Sequence, residues 1–378
     1  MQYYLETRTI TIYMQDGTSN MILLKEKQTF FQYLANIMHD SKSDSIDVMN
    51  NQHLEKDNLP PFLGGLVGYF GYEMKSETMN YSEKQKPFET KSAETIPDSC
   101  FMFTDRTIIF DHLESKVFLA ALVNLDSPSA SQDGKMQRQW MDKAEAELLG
   151  CVNCQPNAIP MDTPVKKIPQ VKLTHEKDEY INMIKDSISK ISLGETYEVC
   201  LTTQLTAHLK PDHPHPFELY KHLRHRNPAP YAAYISFNEE LFIASSSPER
   251  FLRVEKERKI TMKPIKGTAK RATKLNFGIH STEGDLEQEN ARLREELSSS
   301  EKNRSENLMI VDLIRNDLNQ ISALDSVHVP SLMVVESYAT VHQLVSTVAS
   351  TLRPELSPVD AIMRSFPPGI LSLIVSIF

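Results

Sequence analysis

Two groups of short apolar segments, at 197–207, 231–236, 241–246 and 251–254 and again at 326–335 and 340–348, flank a charge-rich run from Glu283 to Arg304. Their β-branched and aromatic content, with turn-forming residues between them, reads as strands. The run between the groups carries opposite charges at helical spacing and reads as a solvated helix. Upstream, residues 1–124 alternate apolar and aromatic runs such as Cys100–Phe103 and Thr107–Phe110 with polar breaks. That pattern reads as antiparallel strands with a few helices. Residues 125–170 hold an amphipathic helix around Lys135 to Leu149 and then Pro156, Pro160, Pro164 and Pro169, a density that marks a connector. Thr174 is a candidate N-cap for a helix carrying Ile181, Ile184, Ile188 and Ile191 at helical spacing.

Charge and cysteine usage narrow the function classes. A net charge of −9 with no basic stripe argues against nucleic acid as the main partner. No apolar run is long enough to span a membrane and no leader-like pattern opens the chain, so a cytoplasmic protein without a membrane partner is expected. Cys151 and Cys154 have the spacing of a redox motif or half a zinc site but lack a second pair nearby. Cys200, in the apolar stretch 197–202, is expected to be a small buried hydrophobe.

The candidate chemistry sits in Ser246-Ser-Pro-Glu-Arg-Phe251 and Met262-Lys-Pro-Ile-Lys-Gly-Thr268. Lys266 is a candidate nucleophile, provided burial or a neighbouring cation, such as Lys263 or Lys270, lowers its pKa. Glu249 is a candidate general acid. Pro264 fixes the backbone before the lysine, and Gly267 allows close approach to a ligand. Alternatively, Glu249 and Arg250 form a surface ion pair, and Pro264 with Gly267 shapes a turn.

These two motifs, taken with Gly194–Val199, Glu306-Asn-Leu-Met-Ile-Val-Asp-Leu-Ile-Arg-Asn-Asp317 and Val341–Thr347 in the same order, resemble the chorismate-utilising enzymes. Pro61–Tyr72 and Asn227–Tyr231 are similar to further blocks of that family, so the resemblance runs from about residue 60 to Gly369. It implies an α+β fold with large antiparallel sheets and outer helices, and a catalytic domain over residues 171–369. Lysine at position 266 resembles the aminodeoxychorismate synthase branch, which feeds para-aminobenzoate and folate; anthranilate synthases usually carry alanine there. The resemblance implies that Lys266 attacks C2 of chorismate while Glu249 assists departure of the C4 hydroxyl. Gly267 and Thr268 correspond to a backbone-and-hydroxyl contact with chorismate, and His342 to a histidine near the substrate. Glu306 matches a glutamate that binds Mg2+, a hard cation held by one or two carboxylates with waters and substrate oxygens. Read without the family, Glu306 belongs to a solvated helix and His342 is a hydrogen-bonded core residue.

Two departures from the family pattern matter. After Gly369 relatives continue through Gly-Ala-Pro-Lys, whereas this chain reads Ile370–Phe378, too short for a span and apolar enough for a strand. The resemblance therefore implies that the last part of the domain is missing, with a second metal glutamate, a carboxylate-binding arginine and a glycine-rich loop. No cysteine lies in a Gly-x-Cys-x-Gly setting. Ammonia is expected to come free from solution or from a glutamine amidotransferase domain or subunit. The expectations are a synthase component, a truncated non-catalytic fragment of one, or an anthranilate synthase component.

Overall fold

A computed structural model of the chain describes residues 1–14, 16–40, 59–79, 96–151, 170–196, 198–209, 214–278 and 280–367. They fall in two compact units, Met1–Cys151 with Tyr220–Phe378, and Val152–Leu219. Cys154, the prolines from Pro156 to Pro169 and the tail 370–378 lie outside the described residues.

The first unit opens with β1 (Gln2–Tyr4), β2 (Thr9–Tyr13), β3 (Ser19–Leu23), α1 (Phe30–Asp40), β4 (Gly65–Phe70) and β5 (Ser99–Thr104). The strands make one antiparallel sheet in the order β3-β2-β1-β5-β4. Period-two alternation turns Tyr3, Ile10, Phe70 and Phe101 to one face, where they bury Phe30 and Phe31 of α1. The Tyr3 and Phe30 rings stack with centroids 4.5 Å apart. Burying each such ring contributes about 1.5–3 kcal/mol. Burial pushes the Cys100 thiol in β5 up to about 11. A hairpin of β6 (Arg106–Asp111) and β7 (Lys116–Ala121) and the helix α2 (Ala130–Cys151) complete this part.

The second unit pairs β8 (Val171–Leu173) with β9 (Leu205–Ala207) and holds α3 (Lys177–Ser192). Here the chain departs from its expected pattern. Thr174 does not cap α3: both its N–H and its hydroxyl donate to Gln204 O, extending the β8–β9 pairing. Residue 176 is the N-cap instead. The strand expected over 197–207 shrinks to Leu205–Ala207, and Cys200 lies in irregular, exposed backbone, not in a core. Apolar composition alone does not make a strand where no partner strand runs alongside.

The helix α4 (Pro216–Arg226) leads back into the first unit, which continues with β10 (Tyr231–Phe237), β11 (Leu241–Ser247), β12 (Arg250–Val254), β13 (Lys259–Lys263) and β14 (Ile265–Lys270). A four-residue α5 (Lys274–Phe277) precedes α6 (Glu283–Ser299) and α7 (Glu301–Asn319); β15 (His328–Ser337), β16 (Val341–Thr351) and α8 (Pro358–Arg364) follow. The charge-rich run is two helices, not one. Ser300 takes extended backbone and its Oγ accepts Asn303 N–H at 3.4 Å, ending one helix and capping the next.

All pairs in the second sheet are antiparallel, with β16 at its centre. Ile260, Met262 and Val348 meet Ile310, Val311, Ile314 and Leu318 of α7 in a second core. Val359, Ile362 and Phe366, from α8 and just beyond, enter the first core beside Phe31. The fold is α+β with antiparallel sheets and outer helices, as expected. No helix among the described residues is long and apolar enough to cross a membrane.

Candidate active site

The site is built on one edge of β16. Its partners β13 and β14 run end to end along that edge: Lys259 pairs with Thr351, Met262 with Val348 and Ile265 with Val345 in one register. Pro264 separates them yet leaves the ladder intact, because Ser346 N–H donates to Pro264 O at 3.1 Å and only the missing proline N–H is lost. The alternative reading of Pro264 and Gly267 as a turn gives way to strand pairing. Pairing with β16 outweighs the local turn chemistry.

Alternation then dictates what comes next. If the Pro264 carbonyl faces β16, the Ile265 N–H points to the opposite edge. There β12 has already ended, Arg250 lying opposite Lys263. Glu249 fills the gap: its Oε1 accepts Ile265 N–H at 3.0 Å. The Glu249 backbone is itself held, its N–H donating to Ser247 Oγ at 3.3 Å. The half-buried Arg250 turns elsewhere, to Thr261 Oγ1 at 2.8 Å. Glu249 is thus an edge acceptor one residue from Lys266.

Lys266 occupies a β-bulge. Ile265 pairs with Val345 but Thr268 pairs with Gln343, so Lys266 and Gly267 together face Leu344. Bulges re-aim side chains and cluster beside active sites. Gly267 has φ +97°, and a Cβ there would stand 2.9 Å from Asn303 Cγ and 3.0 Å from Asn303 Cβ. The space where a side chain would stand is taken by Asn303 of α7 and Leu297 of α6. Lys263 is engaged by Glu336 at 2.7 Å, so its charge is partly compensated rather than turned wholly on Lys266. Thr268 is exposed, with Gln343 Nε2 at 3.5 Å from its hydroxyl.

Glu306 lies on α7, one turn beyond the Asn303 that touches Gly267, half-exposed with Lys302 Nζ at 3.9 Å. Among the described residues no three metal-capable side chains converge. One carboxylate suits Mg2+ held mainly by waters and substrate oxygens rather than by a protein cage.

His342 is fully buried beside the strand pairing, opposite Ala269. Its Nε2 lies 2.9 Å from Asn290 Oδ1, which already accepts Ala272 N–H, so Nε2 carries the proton and donates. Nδ1 then accepts from Ser337 Oγ at 2.8 Å. Burial, with the nearby Arg294 and Arg271 cations, holds its pKa below the usual histidine value. His342 is in this arrangement a neutral core residue with both nitrogens engaged by protein.

The arrangement gathers Glu249, Lys266, Gly267 and Thr268 on one stretch, with Glu306 on the helix packed against it. Sequence reasoning passed over the buried polar side chains beneath: Asn290, Asn307, Gln343 and Ser346. Asn307 was visible only as the residue after Glu306.

Comparison with known proteins identifies the family. The description "chorismate binding enzyme" matches residues 2–372. The chain belongs to the chorismate binding enzyme family. An aminodeoxychorismate synthase of Arabidopsis thaliana, described as chloroplastic, is 35% identical over 357 residues, 92% of this chain and 36% of that protein. One from Streptomyces griseus is 38% identical over 316 residues, 83% of this chain and 39% of that protein. An anthranilate synthase alpha subunit of Oryza sativa is 33% identical, covering 84% of this chain and half of its own length. The chain thus spans a little over a third of the aminodeoxychorismate synthases it matches. Anthranilate synthase component I from Streptococcus pneumoniae has the same fold, with a TM-score of 0.68 at 23% identity over 98% of this chain and 74% of that one.

Proposed function

We propose that this member of the family is the chorismate-binding part of an aminodeoxychorismate synthase, joining chorismate and ammonia to give 4-amino-4-deoxychorismate for para-aminobenzoate and folate synthesis. The observation that carries the reading is Lys266 on a bulge, directly after the N–H that Glu249 accepts. As a neutral amine, Lys266 Nζ forms a bond to C2; the ring double bonds shift, the C4–O bond breaks, and Glu249 gives its proton so that water leaves. A carboxyl group can accept the Ile265 N–H at one oxygen while its proton rides on the other. Ammonia then bonds to C4 and returns a proton to the Glu249 carboxylate, the double bonds shift back, and the lysine leaves the protonated adduct at C2 as a neutral amine. Splitting one substitution into two is what covalent catalysis contributes.

Glu306 is the described carboxylate suited to Mg2+, which when bound neutralises the charge of a dicarboxylate substrate. Thr268 and the Gly267 backbone are the proposed contacts to chorismate, with His342 behind them. The amidotransferase that supplies ammonia, and a cytoplasmic setting, belong to the same proposal.

Identity to anthranilate synthases favours a second reading, amination at the ortho position. Lys266 discriminates. The test is to incubate the chain with chorismate, ammonium and magnesium and to separate ortho from para products. Para product that is lost in Lys266→Ala supports the proposal; para product at an unchanged rate in that variant overturns the nucleophile assignment.

A further inference from the structure

Both edges of β16 are bulged, at positions two residues apart. On one edge Lys266 and Gly267 face Leu344. On the other, Ser331 pairs with Thr347 and Val334 with Val345, so residues 332 and 333 together face Ser346. Met333 takes φ +54°, a left-handed conformation rare for a side chain of its size. Bulges displace backbone groups from the ladder, and displaced groups in a core need partners.

One side chain meets both bulges. Met333 N–H donates to Ser346 Oγ at 2.9 Å, and Ser346 O–H donates to Asn307 Oδ1 at 2.5 Å. The other end of the same amide, Asn307 Nδ2, donates to Leu344 O at 3.3 Å. Leu344 is two residues from Ser346, whose N–H faces Pro264, so its carbonyl also faces the β14 edge, at the bulge itself. Asn307 and Ser346 are both fully buried. The helix side of this contact is equally close: Asn303, one turn before Asn307, sits where a Cβ on Gly267 would go.

A buried amide could serve only to dock α7 on the sheet. Docking, however, asks for any satisfied pair, whereas this amide is spent on the carbonyl opposite the lysine and on the hydroxyl that serves the second bulge. Were the bulge at Lys266 to close, β14 would slip by one residue and every side chain beyond it would change face.

We propose that Asn307 is a positioning residue that fixes the bulge and thereby how Lys266 is presented. Its meaning for catalysis rests on the reading of Lys266 given above, but the geometric claim can be tested without turnover. The full chain is labelled sparingly with an amine-reactive acetylating reagent at one fixed pH. Mass spectrometry then gives the labelling of Lys266 relative to Lys270, which lies on the same strand. Asn307→Asp keeps the acceptor for Ser346 but sets a carboxylate against the Leu344 carbonyl; Ser346→Ala is a milder change that leaves Asn307 in place.

The half-buried Lys266 is expected to label about threefold or more faster relative to Lys270 in Asn307→Asp, the size of effect that loss of one buried hydrogen bond supports. Ser346→Ala should shift the ratio in the same direction by less. A role confined to docking α7 would lower the melting temperature and leave the ratio where it was. That result, in either folded variant, overturns the inference. Para product from the Lys266→Ala chain at an unchanged rate would end the catalytic reading while leaving a shifted labelling ratio, and so the positioning of Lys266, standing.

Discussion

Replacing Gly267 by alanine tests the bulge most directly. At φ +97° a side chain costs about 1–2 kcal/mol in backbone strain. The new Cβ would stand 2.9 Å from Asn303 Cγ, 3.0 Å from Asn303 Cβ and 3.1 Å from Leu297 Cδ1. Leu297 can swing its methyl aside, but Asn303 Cβ is fixed to the α7 backbone, so the overpacking adds roughly 1–3 kcal/mol. Alanine regains about 0.4–1 kcal/mol by restricting the unfolded chain. The net expectation is a loss of about 1–4.5 kcal/mol. Urea unfolding can be followed by the fluorescence of Trp140, the single tryptophan of the chain, which lies on α2 in the same unit as β14. Adding Asn303→Ala removes the Cγ contact but not the Cβ one, so the pair should recover about 1 kcal/mol, appearing as non-additivity. A midpoint shift equivalent to less than about 0.5 kcal/mol at unchanged slope would refute both the strain and the packing argument.

Two titrating groups make predictions of opposite sign. Burial pushes the Asp317 carboxyl up to about 6, so the stability it contributes is present below its unfolded value near 3.8 and is lost as pH rises through 6. Asp317→Asn should therefore melt higher than the parent at pH 7.5, with the gap closing by pH 4; a lower melting point at pH 7.5 than the parent would contradict this. His342 is depressed, so its contribution is present above about pH 6.5 and is lost as pH falls. His342→Gln should flatten the decline in stability between pH 6.5 and 5, and an unchanged slope would show that His342 is not the buried neutral group described.

Much of the framework was legible because it rests on patterns the chain carries locally. The segments at 231–236, 241–246, 326–335 and 340–348 became β10, β11, β15 and β16 with ends moved by a few residues. What failed depended on partners distant in sequence. The alternative reading of Pro264 with Gly267 as a turn arose because proline and glycine dominate short-range preference, yet β16 supplies a ladder in which a proline carbonyl and a bulged glycine both fit. The break at Ser300 was marked by three consecutive serines, Ser298–Ser300, a cap signal that the continuous charge pattern on either side obscured. In the site, Glu249 and Lys266 could be read as chemistry, but not that the glutamate also stands in for a strand. Asn307 gave no signal, since a buried asparagine and an exposed one look alike in sequence.

The aromatic core of the N-terminal sheet carries a consequence for synthesis of the chain. Phe30, Phe31 and Phe70 are covered in part by Val359, Ile362 and Phe366, about 300 residues further on. At about 5–20 residues per second, the ribosome delivers that cover roughly 15–60 s after Phe70. Through that interval the nascent sheet holds a partly open aromatic surface, so its escape from aggregation is a matter of timing and of chaperone occupancy as much as of final stability.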